Sequence, residues 1–180
     1  IDPSSIRLQA VFSNDTPVSD NVTTAHAAIT PLTPLSGLFS RVRLLCQGTL
    51  VEDQNLWQPL QALHHAWMSP LQFRDLCNES FELKDDSNHA AMMLSGDYAI
   101  QPIAAGASKR VQMPFITLGM FNQPRYLPGR HLNMTLELEL APDAESWIDE
   151  TAKAGVAFDY KWSLADCSIL ASTITLDPQL

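Results

Sequence analysis

Apolar and polar residues alternate with a period of two over several stretches of this chain. Val111, Met113 and Phe115 alternate with Arg110, Gln112 and Pro114, and Leu132, Met134, Leu136, Leu138 and Leu140 alternate with His131, Asn133, Thr135, Glu137 and Glu139. A period of two makes a β-strand with one face buried and one wet. Lys109 to Leu140 therefore reads as two strands joined by a polar, proline-rich turn. Ile6 to Phe12 alternates in the same way, with Ile6, Leu8, Ala10 and Phe12 on one face. Leu38 to Leu45 is a further strand, followed by a turn at Gln47-Gly48 and a short strand over Thr49 to Val51. Phe158 to Leu176 is the closing strand region. A short strand is expected around His26 to Leu32, within a loop-like stretch from Ser13 to Pro34, and Gly96 to Ala105 is expected to be extended.

The middle of the chain changes period. Leu56, Leu60, Leu63 and Trp67 fall at spacings of four, three and four, which places them on one face of a helix. Asp53 or Asn55 is the expected cap, and Pro59 is tolerable only in the first turn. A second short helix is expected to start near Pro70 with Leu71, Cys77 and either Phe73 or Leu76 inward. A helical turn is expected at His89 to Leu94, and another near Trp147 in an excursion from Pro142 to Gly155. The longest helix is placed between Asp53 and Met68, and strand is expected to outweigh helix.

Composition fits one β-rich domain spanning residues 1–180. A chain of 180 residues can bury about 70% of its unfolded surface in a single core. Twelve prolines against seven glycines suit strands with stiff connections, because proline interrupts helices and keeps to strand edges and turns. Charged residues are only 17% of the chain, below the usual value of about 25%, so part of the uncharged surface is expected to meet neighbours. A net charge of −9 argues against direct nucleic-acid binding, which draws on clustered Lys and Arg. Six acidic residues and no Lys or Arg lie between Glu137 and Glu150, read as a solvated strand face and loop. No apolar run approaches the roughly 20 residues that span a bilayer. Cys46, Cys77 and Cys167 are widely spaced and odd in number, which points to free thiols in a reducing interior.

Three segments resemble one family. Gly106 and Ser108 form a turn before the Lys109 strand, and Leu127-Pro128-Gly129-Arg130 precedes the Leu136–Leu140 LELEL strand. GLFSRVRLLCQGTLVED, Gly37 to Asp53, carries an arginine-bearing apolar run, a Gly-Thr turn and an acidic pair. WSLADCSILASTITLDPQL, Trp162 to Leu180, leads from a tryptophan through alternating residues to an L-D-x-x-L exit. In their order along the chain they resemble the N-terminal jelly roll of the double-jelly-roll major capsid proteins of polinton-like viruses, adintoviruses, virophages and nucleocytoplasmic large DNA viruses. Gly129 departs from the family, where a larger residue is expected. The resemblance implies an all-β fold: an antiparallel jelly-roll sandwich with short helical insertions, the first of two jelly rolls. It implies a structural protein of the virion, assembled in the host nucleus or cytoplasm as a homotrimeric, pseudo-hexagonal capsomer. Its partners would be neighbouring capsomers, penton and minor capsid proteins. Ile1 is not a start methionine, and the resemblance implies residues before it and a second jelly roll beyond Leu180.

The chemistry-bearing residues add no reaction to this picture. His64 and His65 are adjacent, so on a helix they point about 100° apart and do not share an ion as an i, i+4 pair does; they read as a helix-surface and core-flank pair. His26, His89 and His131 are isolated, and the His-x-His of a cupin is absent. No G-x-S-x-G elbow is present, and Cys77 in LCNES reads as a small buried hydrophobe. Glu52-Asp53 and Asp85-Asp86 are adjacent pairs whose members would face opposite sides of a strand. No catalytic residue, metal ligand or cofactor is assigned, and the chain is not expected to be an enzyme. The alternative from a different class is a lectin-like jelly roll that stacks carbohydrate on aromatic rings. For that role Trp57, Tyr126 and Trp147 are the available rings, while Trp67 and Trp162 are expected in the core.

Overall fold

The computed structural model describes residues 1–17, 27–31, 33–82, 100–129, 131–142, 148–149 and 160–175. Its strands are β1 (Arg7–Asn14), β2 (Thr30–Pro31), β3 (Phe39–Cys46), β4 (Thr49–Gln54), β5 (Ser108–Pro114), β6 (Met134–Leu140), β7 (Ile148–Asp149) and β8 (Trp162–Leu170). Two helices, α1 (Trp57–Trp67) and α2 (Pro70–Ser80), lie between β4 and β5. Strand outweighs helix among the described residues, as the alternation predicts. The two helices are equally long, at 11 residues each.

Two three-stranded antiparallel sheets carry the fold, in the orders β5-β1-β8 and β4-β3-β6. A short β2-β7 pair accompanies them. In each large sheet one central strand is paired on both sides: β1 in the first, β3 in the second. The inner positions of β1 are Leu8, Ala10 and Phe12, and those of β3 are Val42 and Leu44. All are buried in one apolar cluster with Val111 and Met113 of β5. β1, β3 and β5 thus turn their apolar alternate positions into one core between the sheets, an arrangement compatible with an all-β sandwich.

Local chemistry explains the boundaries. The Gln47-Gly48 turn has φ of 51° and 77°, the doubly left-handed geometry whose twist matches a two-residue hairpin, and glycine supplies half of it without steric cost. Ser69 caps α2: its hydroxyl accepts from the Gln72 amide while Gln72 reaches back to the Ser69 amide, with Pro70 in the first turn. At the end of β1, Asn14 is fully buried. Its Nδ2 donates to the carbonyls of Ala27 (3.0 Å) and Ile103 (2.8 Å), and its Oδ1 accepts from the Thr16 amide. This side chain ties β1 to two loops, satisfying the polar groups that burial would otherwise orphan. The Ile103 segment bridges Ile29 through a pair of backbone hydrogen bonds, which gives the extended character expected over Gly96 to Ala105 to its later part.

Helix α1 corrects the expected face. Trp57, Gln58 and Gln61 are buried, whereas Leu56, Leu63 and Trp67 are exposed, Trp67 by 80%; Leu60 is half-buried. The reason is hydrogen bonding. Trp57 Nε1 donates to the Ser36 carbonyl (3.1 Å) and Gln58 Nε2 to the Gly37 carbonyl (2.7 Å), both in the tight turn Leu35–Leu38. Gln61 Nε2 donates to Thr117 Oγ1 (2.6 Å). These polar partners rotate the helix away from its leucine stripe. Neither Asp53 nor Asn55 caps it: its N-cap is Leu56, which makes no side-chain cap. In α2, Leu76 and Cys77 point inward and Phe73 is partly buried, but Leu71 is exposed.

Strand β8 holds a second departure. Before Asp166 its inward residues are Trp162 and Leu164, opposite Asn14 and Phe12; after it Ile169 lies opposite Leu8. The register slips between Gln9 and Val11, and Asp166 takes φ of 50°. This bulge moves the inward phase by one residue, so Cys167 and Ile169 face the core side in place of Asp166 and Ser168. At Gly129, an added Cβ would approach Ile1 Cδ1 to 2.8 Å, so a larger residue there requires Ile1 to move. His26, Leu32, Asp85-Asp86, His89–Leu94 and Trp147 lie outside the described residues.

The reversed roles of two tryptophans give a test. Trp57→Ala is expected to lower unfolding free energy by about 3–5 kcal/mol, the usual cost of emptying a large buried site. Trp67→Ala should change it by no more than about 0.5 kcal/mol. Chemical denaturation of both variants measures the difference.

Candidate interaction surface

Among the described residues, the inner faces of the two sheets do not close along one flank. On β6, Met134, Leu136 and Leu138 pair with Cys46, Leu44 and Val42 and therefore turn inward, yet all three are only half-buried. Leu140 is 46% exposed and the inward Ile169 of β8 is 50% exposed. Both strands are outermost in their sheets among the described residues. Between them lies an apolar cavity of about 390 Å³ lined by Leu8, Leu44, Leu136, Leu138, Cys167 and Ile169, among others. That size is near the lower end of roughly 300–1,000 Å³ found for ligand pockets. Its lining lacks the convergent polar groups that orient a small polar ligand.

The outer face of the same sheet is charged in columns. Arg41 forks onto Asp53 of β4 through Nε–Oδ1 (2.9 Å) and Nη2–Oδ2 (2.6 Å). This contact holds the Asp53 carboxyl below the usual carboxylate range and raises Arg41. Arg43 meets Glu137 at 3.1 Å, and Glu139 lies opposite Arg41 in register. In register, Asp53 of β4, Arg43 of β3 and Glu137 of β6 form one column of acid, base, acid, and Arg41 and Glu139 form a second column of base and acid. The two members of Glu52-Asp53 take opposite sides, as adjacency predicts: Glu52 accepts from the Gly119 amide at 3.1 Å while Asp53 holds Arg41.

A second apolar feature is the outer surface of the helices, where Leu56, Leu63, Trp67 and Leu71 are exposed. The aromatic positions differ from expectation here. Trp57, a candidate for sugar stacking, is fully buried, and Trp67, expected in the core, is not. Tyr126 is exposed, and Trp162, partly buried, stacks on Phe12 at 5.7 Å against the core.

The remaining candidate groups are dispersed. His65 packs against the Phe73 ring at 5.5 Å; Nδ1 of His64 and Nε2 of His65 are buried without a hydrogen-bond partner among the described residues. Burial, then the neighbouring His64, push the His65 pKa down to about 4. Burial pushes the Cys77 thiol up to about 12, which keeps it protonated and unreactive at neutral pH. Cys46 and Cys167 are also free thiols. Among the described residues no three His, Cys, Asp or Glu side chains group as a metal site, and no helix is long and apolar enough to cross a membrane. No family model, curated protein or solved structure matches this chain.

The His65 shift sets a pH dependence. Above about pH 6.5 the imidazole is neutral in both folded and unfolded chains. As pH falls from about 6.5 to about 4 the unfolded chain takes up a proton that the folded chain refuses, so stability falls across that window and no further below it. His65→Phe should flatten this part of the stability profile, measured as urea midpoints from pH 4 to pH 8. An unchanged slope would assign the dependence to other groups.

Proposed function

We propose that this chain is a structural module, the first jelly roll of a double-jelly-roll major capsid protein that assembles as trimeric capsomers of an icosahedral DNA-virus shell. The observation that carries this reading is the flank that the described residues leave unclosed between two antiparallel sheets whose inner faces share one core. A free-standing domain covers its inner face, whereas a module built to stand beside a second one leaves apolar surface for its neighbour. The pairing of the first strand with the last, β1 with β8, and the non-consecutive neighbours in both sheets suit a jelly-roll topology. The two helices between β4 and β5 stand where that family carries insertions between strands. A net charge of −9 accords with a shell wall that leaves the genome to other proteins. The burial of Trp57 removes one ring from the aromatic platform that a lectin would need.

Assembly is the test. A chain joining this module to a second jelly roll is expected to give monodisperse trimers by multi-angle light scattering, and residues 1–180 alone are expected to associate irregularly as concentration rises. A soluble monomer in both cases, with a positive glycan array, would replace this reading with the lectin.

A further inference from the structure

The edge of β6, unpaired among the described residues, is specified in more detail than the capsid reading requires. Natural edge strands are usually blunted by shortness, by proline, by charged side chains, by an inward-pointing charge or by a bulge, and β6 uses only charge, on its outer face. Met134–Leu140 has no proline and places only apolar side chains inward. Its outward positions are Thr135, Glu137 and Glu139. One complete column, Asp53–Arg43–Glu137, runs acid, base, acid across β4, β3 and β6, a shorter one pairs Arg41 with Glu139, and both stop at the β6 edge on an acid. Oppositely charged side chains directly across a strand pair attract, and like charges repel. A further strand on this edge is therefore favoured if it carries Lys or Arg opposite Glu137 and Glu139 and apolar residues at the alternate positions.

From this arrangement we infer that β6 and the cavity beneath it form a docking groove for an extended segment of another polypeptide with alternating apolar and basic residues. The segment adds as a strand to β6. Its apolar side chains enter the cavity between Leu138 of β6 and Ile169 of β8, and its basic side chains continue the columns on the outer face. Main-chain hydrogen bonds supply affinity in such strand addition, and the alternating side chains supply specificity. A second copy of β6 is a poor occupant. In an antiparallel pair centred on Leu138, Glu137 of each copy would face Glu139 of the other, and a pair centred on Glu137 sets that residue against itself. The inference is argued from this edge and its cavity; on the capsid reading, which leaves the same flank for a neighbour, the added strand is the neighbour's.

The test uses a fluorescent peptide of alternating Ile and Lys as long as β6, titrated with the chain and followed by anisotropy. An Ile/Glu peptide and a Lys-containing peptide of the same composition in scrambled order are the controls. The Ile/Lys peptide is expected to bind at least tenfold more tightly than either control, and more weakly as salt rises. Glu139→Lys, at an exposed position, should weaken it by about three- to tenfold and improve binding of the Ile/Glu peptide. Leu138→Lys should abolish binding, and circular dichroism of that variant separates a lost groove from a lost fold; Glu139→Lys remains decisive if it unfolds. Equal binding of the three peptides, no binding, or indifference to Glu139→Lys would overturn the proposal. So would a discrete dimer of the chain that Leu138→Lys dissociates, since a second copy would then own the groove.

Discussion

Burial of two alternating faces against each other is the constraint on which the rest of this structure depends. β1 and β3 are the strands paired on both sides, and their inward residues meet in one apolar cluster. Phe12 shows how much converges there. It stacks on Trp162 of β8, meets the edge of Phe81 just beyond α2 at 5.3 Å, and lies in register with Lys109 of β5. Apolar area removed from water contributes roughly 25 cal/mol per Å², and fully buried side chains such as Phe12, Val42 and Leu44 supply it at both central strands. Because side chains alternate with a period of two, a slip of one residue in either central strand would turn its apolar set to solvent. Register and core are therefore one property.

From the centre outward the constraint weakens. β5, the other outer strand of its sheet, has Val111 and Met113 buried and packs near α2 and the Leu35–Leu38 turn, while β6 and β8 carry inward residues with nothing beyond them among the described residues. The outer face shows a complementary gradient: Arg41 and Arg43 are both engaged by carboxylates, and the acids of β6 terminate the columns. Exposed ion pairs of this kind contribute little to stability, about 0–1 kcal/mol each. Their consequence is for recognition. They repel an identical edge and favour a basic one, which couples the charge pattern of the strand to its choice of neighbour.

The strands were legible in the sequence because period-two alternation is a direct imprint of a half-buried sheet. Lys109 to Phe115, Leu38 to Leu45 and Ile6 to Phe12 all became strands within one or two residues of the expected ends. What the pattern does not encode is which neighbour lies beyond a face. Leu136 and Leu138 point inward as read, yet they are half-buried because, among the described residues, the opposing sheet ends at β8. The face of α1 was hidden for another reason: Gln58 and Gln61 are inward because they donate to Gly37 and Thr117, and polarity alone places them outside. The bulge at Asp166 shifts the phase of β8 without any glycine or proline to mark it. The hydrogen-bonding role of Asn14 leaves no periodic trace either, since it comes from two loops distant in sequence. The interaction surface was legible only as a low charge content, and its location required knowing which strands end the sheets.

Hydrogen exchange followed by mass spectrometry, on dilute chain, measures the gradient from centre to edge. Amides bonded on both sides of a buried strand open only with the whole fold, whereas edge strands open locally. Peptides covering β1 and β3 should exchange the slowest, and those covering β6 and β8 markedly faster. Protection of β6 and β8 equal to that of β1 and β3 in the monomer would contradict the open flank. Rapid exchange at β1 would contradict the shared core itself.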